Sequence, residues 1–160
     1  MDTPTGTIHA LLLAQERGTP MKRVPEAQAL EGRGFVGDRH GKKKPNGKRQ
    51  LLLLDEASHQ ALRLGAGELK ENVVISGLPL ESLPPGQRLA LGDEVVVELT
   101  EPCVPCWKLD ALRPGLLKES WGRRGQLARV LKGGALREGD AVRLLDVNPD
   151  APRVIRPKLP

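Results

Sequence analysis

Aromatic side chains are nearly missing from this chain: two tryptophans, one phenylalanine and no tyrosine. Its core must therefore be aliphatic. Single-strand nucleic-acid binders join basic grooves to aromatic stacking platforms, so nucleic acid is not expected as a partner. Cysteine is confined to Cys103 and Cys106, and histidine to His9, His40 and His59. A structural zinc site usually needs a second paired motif, and the scattered histidines supply none. No apolar run approaches the roughly 18–20 residues of a membrane span. Ile8 to Ala14 is short, includes His9 and has no basic region ahead of it, so it does not read as a secretory signal. The expectation is a cytoplasmic protein, away from membranes, with reduced thiols. At 160 residues one domain with a real core is expected. The formal charge of +5 suits an anionic ligand without choosing one.

Several stretches announce their structure. Thr7 to Ala14 reads as a strand and Gly18 to Pro25 as a loop. Glu31 to His40, EGRGFVGDRH, reads as a short edge strand running into a Gly-Asp turn. Pro45-Asn46-Gly47 places the basic residues between Lys42 and Arg49 on a loop. The apolar run Gln50 to Leu54 fits a buried strand. Asp55 then suits an N-cap, with Ala57, Ala61 and Leu64 at helical spacing and Gly65 as the stop. Glu71 to Ser76 reads as a strand. The pattern G-x-x-L-x-x-G-D-x-V occurs from Gly86 to Val95 and again from Gly133 to Val142, and each copy predicts a hairpin. Between them, Trp107 to Trp121 is a helical candidate divided by Pro114-Gly115, and Gly125 to Leu131 returns to strand. The fold expected is mainly β: seven or eight short strands over residues 5–146, with two or three short helices. A closed or partly open barrel would protect its edges. Residues 147–160 read as an extended, proline-rich tail.

The candidate chemistry centres on Glu94 to Asp110, EVVVELTEPCVPCWKLD. An alternating strand meets Pro102 and Pro105, which are expected to lead the chain out of the sheet. Both cysteines sit on that exit. Their C-x-x-C spacing invites a dithiol redox reading, although the helix after Cys106 would meet Pro114 too soon for a thioredoxin-like fold. Cys103 reads as a small buried hydrophobe. Cys106 is followed by Trp107 and Lys108, and a neighbouring ammonium favours thiolate. His40 in Gly37-Asp38-Arg39-His40 could act as a general acid or base, or simply cap a polar turn. Glu71-Asn72 could bond a heterocycle, or open a strand. The 42–49 loop and Arg123-Arg124 could hold a phosphate, or be solvated turns.

Taken in order, these pieces resemble the MOSC domain, named for the C-terminal part of molybdenum cofactor sulfurases. The resemblance rests on Gly37-Asp38-Arg39-His40, Arg49 before the apolar strand, and Glu71-Asn72-Val73 with Gly77-Leu78. It rests above all on TEPCVPCWKL from Thr100 to Leu109, and closes with Arg129-Val130, Gly133 and Gly139-Asp140. It implies a barrel resembling the one inserted in pyruvate kinase. It implies the molybdenum cofactor (molybdopterin) as ligand, with Cys106, at the end of the P-C-x-K-L pattern, on the metal. Larger relatives, the amidoxime-reducing enzymes among them, reduce N-hydroxylated substrates. Smaller ones have been proposed as sulfur carriers with a persulfide on this cysteine. Cys103 has no counterpart in the family. The larger relatives' electron-transfer appendages are missing from the sequence, so a separate electron donor or sulfur donor is expected as a partner. The nominated site has Cys106 and His40 as catalytic groups and Cys106 as metal ligand. Asp38, Arg39, Lys43, Arg49, Glu71, Asn72, Lys108, Arg123 and Arg124 surround the cofactor. The alternatives are a dithiol redox protein through Cys103 and Cys106, and a non-catalytic basic anion-binding module.

Overall fold

The computed structural model describes residues 5–42 and 44–152. The chain opens with β1 (Thr5–Leu13), β2 (Lys22–Val24), β3 (Glu26–Leu30) and β4 (Gly34–Phe35), then a 3₁₀ turn at Arg39–Lys42. β5 (Leu51–Asp55), α1 (Glu56–Leu62) and β6 (Val73–Ser76) follow, and a second 3₁₀ turn at Leu80–Ser82. Next come β7 (Gln87–Leu91), β8 (Val95–Pro102), α2 (Lys108–Leu112) and α3 (Leu116–Glu119). β9 (Gln126–Lys132), β10 (Gly134–Arg137) and β11 (Ala141–Val147) are the last elements among the described residues.

The large sheet runs β11-β7-β8-β9-β5-β6-β1-β2, and β11 also pairs with β1. That last pairing closes seven strands into a barrel, with β2 as a flap on β1. β5 and β6 are parallel and joined through α1, and the other pairs in the ring are antiparallel. A small sheet, β10-β3-β4, packs beside the barrel.

Two-residue alternation sorts the side chains. Leu51, Leu53, Val73, Ile75, Val95, Val97, Leu99, Ala128 and Val130 belong to the main core cluster. Leu54 faces the other way, into a second cluster with Leu62, Leu69, Leu109 and Leu116. This explains the unbroken Leu51–Leu54 run: β5 is covered on both faces. A register shift between Ile8 and Ala10 lets Ile8 and Leu11 both point inward.

Where the sequence and the fold differ, the reasons are local. The pattern from Gly86 to Val95 is the hairpin β7–β8, but the one from Gly133 to Val142 is a corner. There β10 pairs with β3, and β11 pairs with β1 and β7. β3, EAQAL, was not foreseen, because Glu, Ala and Gln carry little strand propensity; its burial nonetheless alternates strictly. α1 begins at its expected cap, with the Asp55 carboxylate accepting from Ala57 N at 3.1 Å. It buries Ser58, His59 and Leu62 rather than Ala57 and Ala61, and Arg63 rather than Gly65 takes the left-handed C-cap. β8 stays in the sheet through Pro102, which pairs opposite Gln126, and the strand ends there, at the exit the two prolines imply. Of the expected tail, residues 153–160 lie outside the described residues. Among the described residues no helix is long and apolar enough to cross a membrane.

The start of β9 depends on Gly125. Its φ is +101°, and a Cβ there would lie 2.6 Å from the Leu53 carbonyl. Gly122 also has positive φ (+79°), but open space around it. Gly125→Ala is therefore expected to lower stability by about 3 kcal/mol or more, combining left-handed strain with a steric clash. Gly122→Ala is expected to cost only about 1 kcal/mol. Urea unfolding of the two variants measures the difference, and equal midpoints would refute the clash.

Candidate functional site

The site grows from a buried carboxylate. Gly37, at φ +86°, turns the chain inward and places Asp38 at 1% exposure between β4 and the 3₁₀ turn. Asp38 Oδ1 accepts from Ala14 N at 2.6 Å and from Asn72 Nδ2 at 3.0 Å. Its Oδ2 accepts from His40 N at 3.0 Å and bonds the His40 ring at Nδ1, 2.9 Å away. Burial alone would push this carboxyl up. The bonds from the His40 ring and the Ala14 amide outweigh it and hold Asp38 below the usual carboxylate range. Asn72 extends the network: its Nδ2 also donates to Leu12 O at 3.2 Å, and its Oδ1 accepts from Leu52 N at 3.0 Å. Three barrel strands and the 3₁₀ turn thus meet at two side chains. With Nδ1 committed to Asp38, Nε2 is the ring atom that His40 can offer elsewhere.

Beside this network lies a cavity of about 200 Å³ on the outer face of the barrel. Leu52 and Leu127, paired in register across β5 and β9, give it an apolar floor. His40, Arg49, Lys70 and Arg124 stand around it, with Gln50 and Asn72. Arg49 is exposed and bonds Glu101 at 3.1 Å, a pair that water screens. Lys70 donates to Thr19 O at 3.2 Å. Arg124 is different. Its Nη1 is buried with no hydrogen-bond partner among the described residues. An unpartnered buried guanidinium nitrogen is costly until an anion meets it.

Arg124 is tied to the cysteine segment. Its neighbour Gly125 donates from N to Glu81 Oε1 at 2.7 Å and accepts at O from Cys103 N at 2.9 Å. Cys103 is half-buried and lines a smaller cavity, about 80 Å³, with Pro102, Val104, Pro105, Trp121 and Gly122. Burial pushes its thiol up, against the charges of Arg124 and Arg49. Cys106 is exposed, and its carbonyl accepts from Leu109 N at 3.0 Å as α2 begins.

The structure brings Asp38, His40, Arg49, Asn72 and Arg124 together. Arg39 follows Asp38 directly, half-buried, its N bonding Ala14 O at 2.7 Å. Glu71 has another task. It is fully buried, bonded to His59 Nε2 at 3.0 Å and to the Gly67 amide, and pins the loop between α1 and β6. Asn72 lines the cavity, but its amide is engaged within the fold. Arg123 points away from Arg124, into a separate hollow with Asp55, Ser58 and Glu81. Lys108 is exposed at the start of α2. Lys43 lies outside the described residues. Lys70 and Gln50 were missed, and nothing in a lone Lys or Gln would have marked them. Among the described residues, no group of three His, Cys, Asp or Glu is placed to hold a metal ion.

The MOSC domain matches residues 47–143, and the chain belongs to that family. A protein called "Reductase" from Gibberella moniliformis is 38% identical over 84 residues, covering 50% of this chain and 15% of that protein. This chain therefore spans a small part of that relative's length. The YuaD protein from Bacillus subtilis superposes with a TM-score of 0.72 at 19% identity, over 89% of this chain and 97% of that one. YiiM from Geobacillus stearothermophilus gives 0.70 at 18%, over 92% and 79%. At such identities the likeness concerns the fold.

Asp38→Asn is expected to destabilise the protein by about 2–3 kcal/mol at pH 7, because a charged acceptor of several bonds is replaced by a group with one acceptor oxygen. A carboxyl whose folded pKa is lowered stabilises the fold fully above its unfolded pKa of about 3.9. That contribution is lost as pH falls through the lower folded value. The variant's stability should accordingly fall less between pH 5 and pH 2 than the unaltered protein's, as urea titrations at both pH values would show. Parallel acid limbs would remove Asp38 from this role. For the thiols, exposure and burial make Cys106 the faster to react with iodoacetamide at neutral pH. Mass spectrometry of Cys103→Ser and Cys106→Ser separates the rates, and a faster Cys103 would reverse the assignment.

Proposed function

We propose that this MOSC domain binds the molybdenum cofactor, with the pterin phosphate in the Arg124 cavity and the Cys106 thiolate toward the metal. The observation that carries this reading is the buried, unpartnered Arg124 Nη1 in a cavity ringed by cations. The donor set fits the group. Arg49, Lys70 and Arg124 suit a phosphate, the Leu52–Leu127 floor suits the face of a planar ring, and a thiolate is a soft ligand suited to such a metal. When bound, the cofactor supplies two-electron redox chemistry, which would serve reduction of an N-hydroxylated substrate with a separate electron donor. The chain's own part is to neutralise the phosphate, to shield one ring face, and to hold His40 Nε2 where it can give or take a proton. Asp38 fixes that ring. The relative named as a reductase is consistent with this class of activity.

A second reading is sulfur transfer. Cys106 is exposed, and it lines neither the Arg124 cavity nor the Cys103 cavity. The Cys106 sulfur in that position could attack the outer sulfur of a donor protein's persulfide, breaking the donor's S–S bond so that the donor leaves as a thiol and Cys106 carries the persulfide, and an acceptor thiol could take that sulfur in the same way.

One experiment tests both. The protein is produced in a host that makes the cofactor, and molybdenum, released pterin and intact mass are measured together. The expected result is metal and pterin near equimolar with protein. Arg124→Ala should lose pterin by about tenfold or more if one charge-assisted phosphate contact is removed. Cys106→Ser should lose metal without loss of fold, and Cys103→Ser should keep it. Metal-free protein carrying one extra sulfur on Cys106 would replace cofactor binding by sulfur transfer. Reversible formation of a 103–106 disulfide, with both variants inactive, would favour the dithiol alternative.

A further inference from the structure

The cationic cavity does not end at Arg49. His40, Arg49 and Gln50 line it and also line a second, more open cavity of about 400 Å³. The two form one groove. Its far end is made by Lys44, Gly47 and Lys48. Among the described residues lining the groove, Glu101 is the one carboxylate, and it already bonds Arg49 at 3.1 Å.

The loop that carries this far end is fastened at several points. Asn46 N donates to Gly32 O at 2.8 Å, and Gln50 Nε2 donates to Gly47 O at 2.9 Å. Thr100 Oγ1 donates to the Lys48 carbonyl at 2.6 Å. A Cβ at Gly32 would lie only 2.5 Å from Asn46 Oδ1, so the loop seats directly on that turn. Lys44 and Lys48 are exposed. Exposed lysines on a free loop are ordinarily just solvated. These two flank a pinned backbone and open onto the groove that holds the unpartnered Arg124.

The groove therefore repeats one chemistry at both ends, with Arg49 and His40 between. A single phosphate at Arg124 would leave the lysine end unused. We propose that the groove takes a diphosphate group, one phosphate on Arg124 and Lys70 and the other on Lys44 and Lys48. The inference rests on the reading of the Arg124 cavity as a phosphate site and adds a second subsite to it. It extends the ligands that the groove can take from a phosphate to a diphosphate, free or as an ester.

Calorimetric titration of the whole chain with inorganic phosphate, pyrophosphate and ADP, at fixed low ionic strength, tests this. Pyrophosphate is expected to bind at least about tenfold more tightly than phosphate, from a second set of charge-assisted bonds. Lys44→Glu with Lys48→Glu should abolish that gain and leave phosphate binding nearly unchanged. Arg124→Ala should weaken both anions. Lys132→Glu with Arg143→Glu makes the same change in net charge outside the groove, and should keep the ratio of the two affinities. ADP that retains the gain assigns the site to a diphosphate ester, and a gain for pyrophosphate alone assigns it to the free ion. Equal affinities in the unaltered protein, or a gain that survives the lysine reversal, overturn the second subsite while phosphate binding stands. Failure of all three probes to bind overturns the phosphate reading as well.

Discussion

The Asp38 carboxylate is the interaction on which the rest of the site depends. It is a charge placed almost wholly out of water, which is unfavourable unless every lone pair is met. Here an amide from the end of β1, an amide and a ring from the 3₁₀ turn, and the Asn72 side chain meet them. Each bond fixes something else. The Ala14 bond fixes how β1 ends. The Asn72 bond, through Leu52 N, fixes how β5 and β6 sit side by side. The ring bond fixes where His40 stands. Removing the carboxylate would leave several buried donors without acceptors, and each would act on a different strand. The position of His40 and the spacing of the strands beneath the cavity therefore have one cause.

Around that point the protein separates its charges. The buried carboxylates Asp38, Glu71 and Glu98 are each matched inside the fold: by amides and His40, by His59 and an amide, and by Arg88 and Arg129. Cations are left in excess along the groove. Its apolar floor, Leu52 and Leu127, lowers the local dielectric and makes that excess felt more strongly by a ligand than the net charge of +5 would suggest. Arg124 cannot relax away from this position easily. Its backbone is set by Gly125, whose φ and whose contact with Leu53 admit no side chain. The groove is thus cationic by construction.

Much of the fold was legible because the physics was local. The Leu51–Leu54 run, the Asp55 cap, the division of Trp107 to Trp121 at Pro114-Gly115, and the Gly92-Asp93 turn all declare themselves within a few residues. What the sequence hid was tertiary. His59 and Glu71 are polar and buried only because they meet each other, so no hydropathy pattern could place His59 on the inner face of α1. The second Gly-Asp pattern forms a corner because the barrel needed β11 and the small sheet needed β10, a choice made by partners far along the chain. The same limit applied to the site. Arg123 and Arg124 are indistinguishable in sequence, yet only Arg124 enters the cationic cavity. Asp38 was visible as part of a turn, and its burial was not. Lys70 carries no local signal of any kind.

The two cysteines illustrate how three residues of separation can produce different chemistry. β8 keeps its pairing through Pro102, and the Cys103 amide then takes one more bond, to Gly125 O. Cys103 is therefore still part of the scaffold, packed beside Pro105 and Trp121 and held in the field of Arg124. Its sulfur is stabilised as a thiol by burial, and the arginine charges only partly offset that. Past Pro105 the constraint ends. Cys106 begins the turn into α2, with its carbonyl engaged and its side chain exposed. A group that must meet a metal, a sulfur donor or a substrate needs access, and a group that holds the strand exit in place needs none. One short segment thus keeps the first sulfur in the scaffold, through the Cys103 amide bond that follows Pro102, and leaves the second accessible past Pro105.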